Sequence, residues 1–192
     1  MLGFAGIAGY VLWKRAYYSM GDPEIAGALN SSIGDTLKTI GENIVNTVDD
    51  TAWLSSDNAQ LYLPYLNDAE VKFGIPTNLL ARVAYQESRF RSDIISGKTK
   101  SPVGAVGIMQ LMPQYFPGAG INPVADIYTA AAELQRLYNR FGDWQLAIAS
   151  YNWGQGNVSQ FLQGKKAMPT ETKNYIAEVF TDIPITGTLM PA

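Results

Sequence analysis

The sequence predicts a mainly α-helical domain with at most a minor β element. Three observations carry that reading. Apolar residues recur at spacings of three and four, which is the period of a helix with one buried face. The runs are bracketed by capping residues or proline at their starts and glycine at their ends. No run alternates apolar and polar residues over any length, so an extended sheet has no support. The 192 residues suffice for one medium domain with a real core plus a smaller part, and 47% are hydrophobic. Only 16% are charged, against about 25% in an ordinary chain, which argues for a packed protein.

In chain order, the first element is "MLGFAGIAGYVLW", thirteen residues without a charge. It falls short of the roughly 20 residues of a spanning helix. Lys14 and Arg15 follow the apolar run, whereas a secretory signal carries its basic residues before it. Residues 1–20 are therefore read as an apolar segment that packs in a partner or in its own domain, serves as an atypical signal or anchor, or enters a membrane or an assembled particle. Residues 21–52 come next. Ile25, Leu29, Ile33, Leu37, Ile40, Ile44 and Val48 form a helical stripe, and Gly27, Gly34 and Gly41 recur every seven residues. Small residues in register allow close backbone approach. An amphipathic helix covering the main domain, a self-associating or membrane-surface helix, and a disordered linker all remain open. Self-association would make the protein a homo-oligomer.

Residues 53–182 carry the helical punctuation, and residues 183–192 form a tail. The Ser55-Ser56-Asp57 cluster marks the boundary. Pro64 is expected at a first helical position, with Gly74 ending that helix. Thr77 is expected to cap the next helix, which runs to about Arg89. "SPVGAVGIMQLMP" suits a small hairpin or irregular loop. Asn122 caps a helix with Pro123 at its first position, Gly142 stops it, and Val124, Ile127, Ala131, Leu134, Tyr138 and Phe141 form its buried stripe. Asp143 caps a helix that ends near Gly154, and a last helix follows Pro169.

Composition narrows the chemistry. There is no histidine, the commonest general base and metal ligand, and no cysteine. Thiol nucleophiles, thiolate metal sites and disulfides are excluded, and no cofactor or metal is expected. The net charge of −3 argues against a nucleic-acid partner. Catalysis must come from carboxylates, hydroxyls, amides or lysine.

Glu87 in "VAYQESRFRSD" is the candidate. At 100° per residue it falls with Leu79, Leu80, Val83 and Ala84 on the apolar face of its helix, near the C-terminus, while Arg82, Gln86 and Arg89 lie off that face or at its edge. Desolvation and the helix dipole both disfavour the anion there, so a raised pKa is expected. A carboxyl that stays protonated near neutrality suits a general acid for glycosidic cleavage. Periodicity alone leaves open a structural glutamate paired with Arg82, Arg89 or Arg91.

"ESRF" after an apolar run, then "GAVGIMQLMP", "NPVADI", "ASYNWG" and "ETKNYI" resemble, in that order, the Slt-type lytic transglycosylase domain from about Ala59 to Phe180. The resemblance implies a lysozyme-like α fold over the catalytic domain 53–182. It implies cleavage of the β-1,4 bond between N-acetylmuramic acid and N-acetylglucosamine in peptidoglycan glycan strands, leaving a 1,6-anhydro end. Glu87 matches the single acid/base, and Ser88 the serine beside it. Gln110 matches a cleft amide and Met109, with Met112, its apolar wall. Tyr151 and Asn152 match the pair that would hold Glu87 or the glycan. Glu171 and Tyr175 match residues that support or line the cleft. Ser150 and Trp153 stand where the family usually has alanines, and Trp153 is expected on a sugar face or the wall. Asp126 stands where the family usually has asparagine and is read as structural. A muramidase hydrolysing with a second carboxylate, Asp93 or Asp126, is the alternative, as is an inactive glycan-binding protein. Without a secretory signal or a lipobox cysteine, the chain is expected to reach the periplasm and cell wall in a bacteriophage particle, held in a membrane or tail assembly by residues 1–50, with a bacterial enzyme of a secretion apparatus as the alternative.

Overall fold

The computed structural model describes Trp53, residues 55–181 and Ile183. The expectations for residues 1–52, and for most of the tail, lie outside the described residues. Among the described residues there are seven helices: α1 (Asp57–Phe73), α2 (Leu79–Ser88), α3 (Ser92–Ile95), α4 (Pro123–Phe141), α5 (Trp144–Trp153), α6 (Gln155–Leu162) and α7 (Thr170–Val179). The β content among them is one isolated antiparallel bridge, Val106 to Leu111. Among these residues, no helix is long and apolar enough to cross a membrane. The chain divides into two compact units, one ending at Gln135 and the other resuming at Arg136, within α4.

In the first unit, α1 begins where Ser56 accepts the Ala59 N–H and ends at Gly74, whose φ of 63° supplies the left-handed stop. Pro64 lies inside α1, so the expectation that it opens the helix is wrong. An interior proline costs about 3 kcal/mol. Burial of Ala59, Leu66 and Ala69 on both sides of it offsets that cost.

The start of α2 also departs from expectation. Thr77 is not the cap. Asn78 takes that position with φ 68° and makes no side-chain capping bond. The capping group arrives from α1: the Glu70 carboxylate, 3% exposed, accepts the N–H groups of Asn78 at 2.8 Å, Leu80 at 2.9 Å and Ala81 at 3.2 Å. Burial pushes the Glu70 pKa up, against those three N–H groups, which favour the anion. A capping rule that searches only the residue before the helix cannot see this group.

The end of α2 is held just as closely. Arg89 and Phe90 both take left-handed backbone, with φ of 50° and 51°. Each such residue costs about 1–2 kcal/mol without glycine, and persists only where its surroundings enforce it. Three neighbouring side chains, Ser88, Asn58 and Trp53, do so. The Ser88 hydroxyl donates to Ala84 O at 2.9 Å and accepts the Phe90 N–H at 3.2 Å. Asn58 of α1 donates to Phe90 O at 2.7 Å and Ser92 Oγ at 2.9 Å. The Phe90 ring stacks on Trp53 at 6.4 Å, and the Arg82 guanidinium lies over the same indole at 4.3 Å. Arg82 is 4% exposed, which corrects its placement off the buried face: the indole ring compensates the buried cation.

Asn122 caps α4 through Val124 and Ala125 as expected, and Gly142 stops it with φ 70°. The buried stripe of α4 centres on Ile127, Ala130, Ala131, Leu134 and Leu137, while Val124, Tyr138 and Phe141 are half-buried. In the second unit, Asp143 caps α5 by accepting the Leu146 N–H at 2.8 Å. α5 is buried from Gln145 through Trp153, as its all-round apolar character requires. It packs against α6 and α7. α6 is absent from the sequence reading, although Val158 and Leu162 at a spacing of four, between Gly154 and Gly164, signal it.

Two substitutions test how α2 is held. Glu70→Ala strands three N–H groups and is expected to lower unfolding free energy by about 2–4 kcal/mol. Ser88→Ala removes both hydroxyl bonds of the following turn and is expected to cost about 1–2 kcal/mol. Denaturant titration of each variant measures both, and a change under about 0.5 kcal/mol, the range of a neutral surface substitution, would contradict the assigned role.

Candidate active site

Glu87 is the penultimate residue of α2 and is half-buried. The helix dipole disfavours an anion at that end. The flanking side chains are engaged locally: Arg89 donates to Gln86 Oε1 at 2.7 Å and lies over the Tyr85 ring at 4.4 Å. Arg91 pairs with Asp93 at 2.7 Å. Ser88 is fully buried, its hydroxyl spanning Ala84 and Phe90, so it secures the turn behind Glu87.

The glycine-rich segment, expected as a small hairpin or an irregular loop, is a small hairpin closed by one isolated bridge. Val106 and Leu111 exchange both backbone hydrogen bonds at 3.0 Å. Between them the chain turns through Gly107 and Gln110, with φ of 77° and 47°. Gln110 is 9% exposed and bends back on the turn, donating from backbone N and from Nε2 to Gly107 O at 3.1 and 3.0 Å. Met109 is fully buried and Met112 nearly so, so both contribute to the core of this unit. Behind the turn lies Asp126, 2% exposed, which accepts the Gly120 N–H at both carboxylate oxygens. Burial pushes its pKa up to about 6, against the Gly120 N–H, which favours the anion. A carboxyl with a raised folded-state pKa contributes its stability at low pH. That contribution is lost as pH rises from about 4, the unfolded value, through about 6.

In the second unit, Tyr151 and Asn152 lie at the end of α5, 1% and 2% exposed. Asn152 Oδ1 accepts from Thr172 Oγ1 at 3.1 Å, which ties α5 to the start of α7. Glu171 and Tyr175 are half-buried on α7. Glu171 Oε1 and Ser150 Oγ are buried and find no hydrogen-bond partner among the described residues. Such oxygens normally meet water or a ligand. Trp153 is 2% exposed, with Lys166 Nζ over its ring at 5.3 Å. It packs in the core, which removes the sugar face from the two places expected of it, because α5 is buried from Gln145 to Trp153.

The predicted residues thus form two groups: Glu87, Ser88, Met109 and Gln110 in the first unit, and Tyr151, Asn152, Glu171 and Tyr175 in the second. The carboxylates considered for a second catalytic role are otherwise engaged. Asp93 is held ionised below its usual range by Thr99 and Arg91, and Asp126 is buried behind the hairpin. Among the described residues, no group of three or more acidic side chains could hold a metal ion. Glu70, which the sequence reading passed over, shares the signal that marked Glu87: a carboxylate four residues after a buried apolar one, Leu66.

Comparison with known proteins places this arrangement. Residues 64–174 match the transglycosylase SLT domain. The chain is 32% identical over 119 residues to the transglycosylase of Enterobacteria phage PRD1, covering 60% of this chain and 40% of that protein. It is 30% identical over 131 residues to the soluble lytic murein transglycosylase of Escherichia coli K12, covering 55% of this chain and 20% of that protein. It is 28% identical over 143 residues to the membrane-bound lytic murein transglycosylase D of the same strain, covering 63% and 30%. The matches therefore span well under half of each relative. The SLT match takes in more than half of this chain, including the end of α2, the glycine hairpin and the junction of α5 with α7, and the chain belongs to the transglycosylase SLT domain family.

Proposed function

We propose that this protein is a peptidoglycan lytic transglycosylase in which Glu87 acts first as acid and then as base. The carrying observation is the setting of Glu87: a half-buried carboxyl at the C-terminal end of a helix secured at both ends, inside the SLT-matched region. The Glu87 carboxyl donates its proton to the glycosidic oxygen as the bond from muramyl C1 to that oxygen breaks. The resulting carboxylate then takes the proton of the muramyl 6-hydroxyl as that oxygen bonds to C1. Glu87 ends in its starting protonation state, and no water is consumed.

In this reading Gln110 offers an amide to sugar, beside the apolar wall to which Met109 contributes. Glu171 Oε1, buried without a hydrogen-bond partner among the described residues, supports a polar contact to glycan, with Tyr175 along the same helix. Tyr151 and Asn152 act through buried contacts at the end of α5, and Ser88 through the turn it secures. The engagement of Asp93 and the burial of Asp126 disfavour a hydrolase, which would need a second free carboxylate to activate water or trap the sugar. Likeness to a phage transglycosylase and to bacterial murein transglycosylases supports action in the cell wall. We place the protein in a bacteriophage particle, where it opens the wall locally as the genome is delivered.

Mass spectrometry of digested sacculi tests the chemistry. Anhydromuramyl ends are expected, and reducing ends would point to hydrolysis. Glu87→Gln is expected to lower the rate at least about 100-fold, as loss of an acid/base does, with an unchanged thermal melt. Full activity in that variant sinks the assignment. The protein is also expected in purified virions by immunoblot, and its absence would remove the proposed mode of delivery.

A further inference from the structure

The geometry points to Asp126 as a positioning residue for Gln110, through a charge state that decides how firmly the hairpin is held. The inference rests on reading Gln110 as an amide that contacts substrate. Two lines of contact lead from Asp126 to the hairpin. Gly107 lies directly against the carboxylate: a Cβ there would strike Asp126 Oδ2 and sit 3.2 Å from Gly120 Cα. Gly107 O in turn receives both the backbone N–H and the Nε2 of Gln110, so the peptide pressed on Asp126 is the one that orients the Gln110 side chain. The second line runs through Gly120. Its N–H donates to Asp126 at 3.0 and 3.2 Å, and a Cβ on it would lie 2.6 Å from Val106 Cγ2. Val106 is one side of the bridge that closes the hairpin.

The surroundings decide what ionisation does. The hairpin 106–111 and the segment 118–122 contain no titratable or charged side chain. Among the described residues, burial and the Gly120 N–H are the two influences on the Asp126 carboxyl. A neutral carboxyl fits such a place. Among the described residues, an anion there has one N–H donor shared between two oxygens and no cation, so it gains from any movement that admits water. The hairpin is the element that can give, because two glycines form its contacts. As pH rises through about 6, the clamp on Gly107 relaxes and the Gln110 amide loses its fixed direction. Asparagine at position 126 keeps an acceptor for the Gly120 N–H and cannot ionise.

Wild-type full-length protein, Asp126→Asn and Asp126→Ala are compared on purified sacculi from pH 5 to 8, with a thermal melt at each pH. The ratio of kcat/KM for Asp126→Asn over wild type is expected to rise with pH, reaching about 3- to 10-fold at pH 8, the scale of a modest misplacement. Asp126→Ala is expected to lose activity at every pH while still folded. A ratio that stays flat across the range in folded protein overturns the inference. A second measurement needs neither a variant nor activity: the Gly120 and Gln110 amide resonances of wild type are followed by NMR over the same range. Both are expected to titrate together near pH 6, and a Gln110 amide that does not follow Gly120 overturns the inference. If wild type leaves sacculi intact, the proposed activity fails, and the NMR titration still decides the coupling.

Discussion

The Glu70 carboxylate of α1 takes the first N–H groups of α2, and the arrangement around Glu87 follows from that contact. A helix of ten residues is too short to persist on its own in water. α2 persists because its N-terminal donors are satisfied by a buried group from the preceding helix and its apolar face is packed. Its far end is tied by Asn58 of the same α1 to the turn after Ser88. One helix therefore fixes both ends of another, and the Glu87 carboxyl lies three residues before the second tie, at Phe90.

The same economy recurs in the glycine hairpin. Main-chain contact replaces side-chain packing at Gly107 and Gly120, which lets a buried carboxylate approach the backbone directly. That approach leaves Asp126 with few donors and a raised pKa. A neutral residue would fill the position without this liability, so the charge is a property of this chain that the hairpin must accommodate. In the second unit, the hydrogen bond from Thr172 to Asn152 joins α7 to α5. One residue away, Glu171 Oε1 is buried with no hydrogen-bond partner among the described residues.

Much of this was legible in the residues. The cap and proline that open α4, the glycine that stops it and the aspartate that caps α5 are local signals, settled within a turn of chain, and the structure agrees with each. The place of Glu87 near the end of its helix was also legible, because helical period is a property of neighbouring residues. Other features were not. Pro64 was misread as a start, since proline is tolerated at a first position and the packing that retains it inside α1 is not written nearby. Trp153 was expected on a sugar face or the wall and is buried in the core, because α5 is buried along its length and its surroundings come from other segments.

What the sequence by itself determined, then, is what depends on contacts a few residues apart: the helical class, most helix boundaries, the turn chemistry of the glycines and the ordered motifs of the family. Tertiary structure alone decided which polar groups are satisfied and by what. It brought Glu70 to the N-terminus of α2, placed Arg82 over Trp53, and set Asp126 behind Gly107. Each of these pairs is separated by eight or more residues, so no periodic pattern records it. The cost of burying an unpaired charge or donor becomes visible only when the partner is seen.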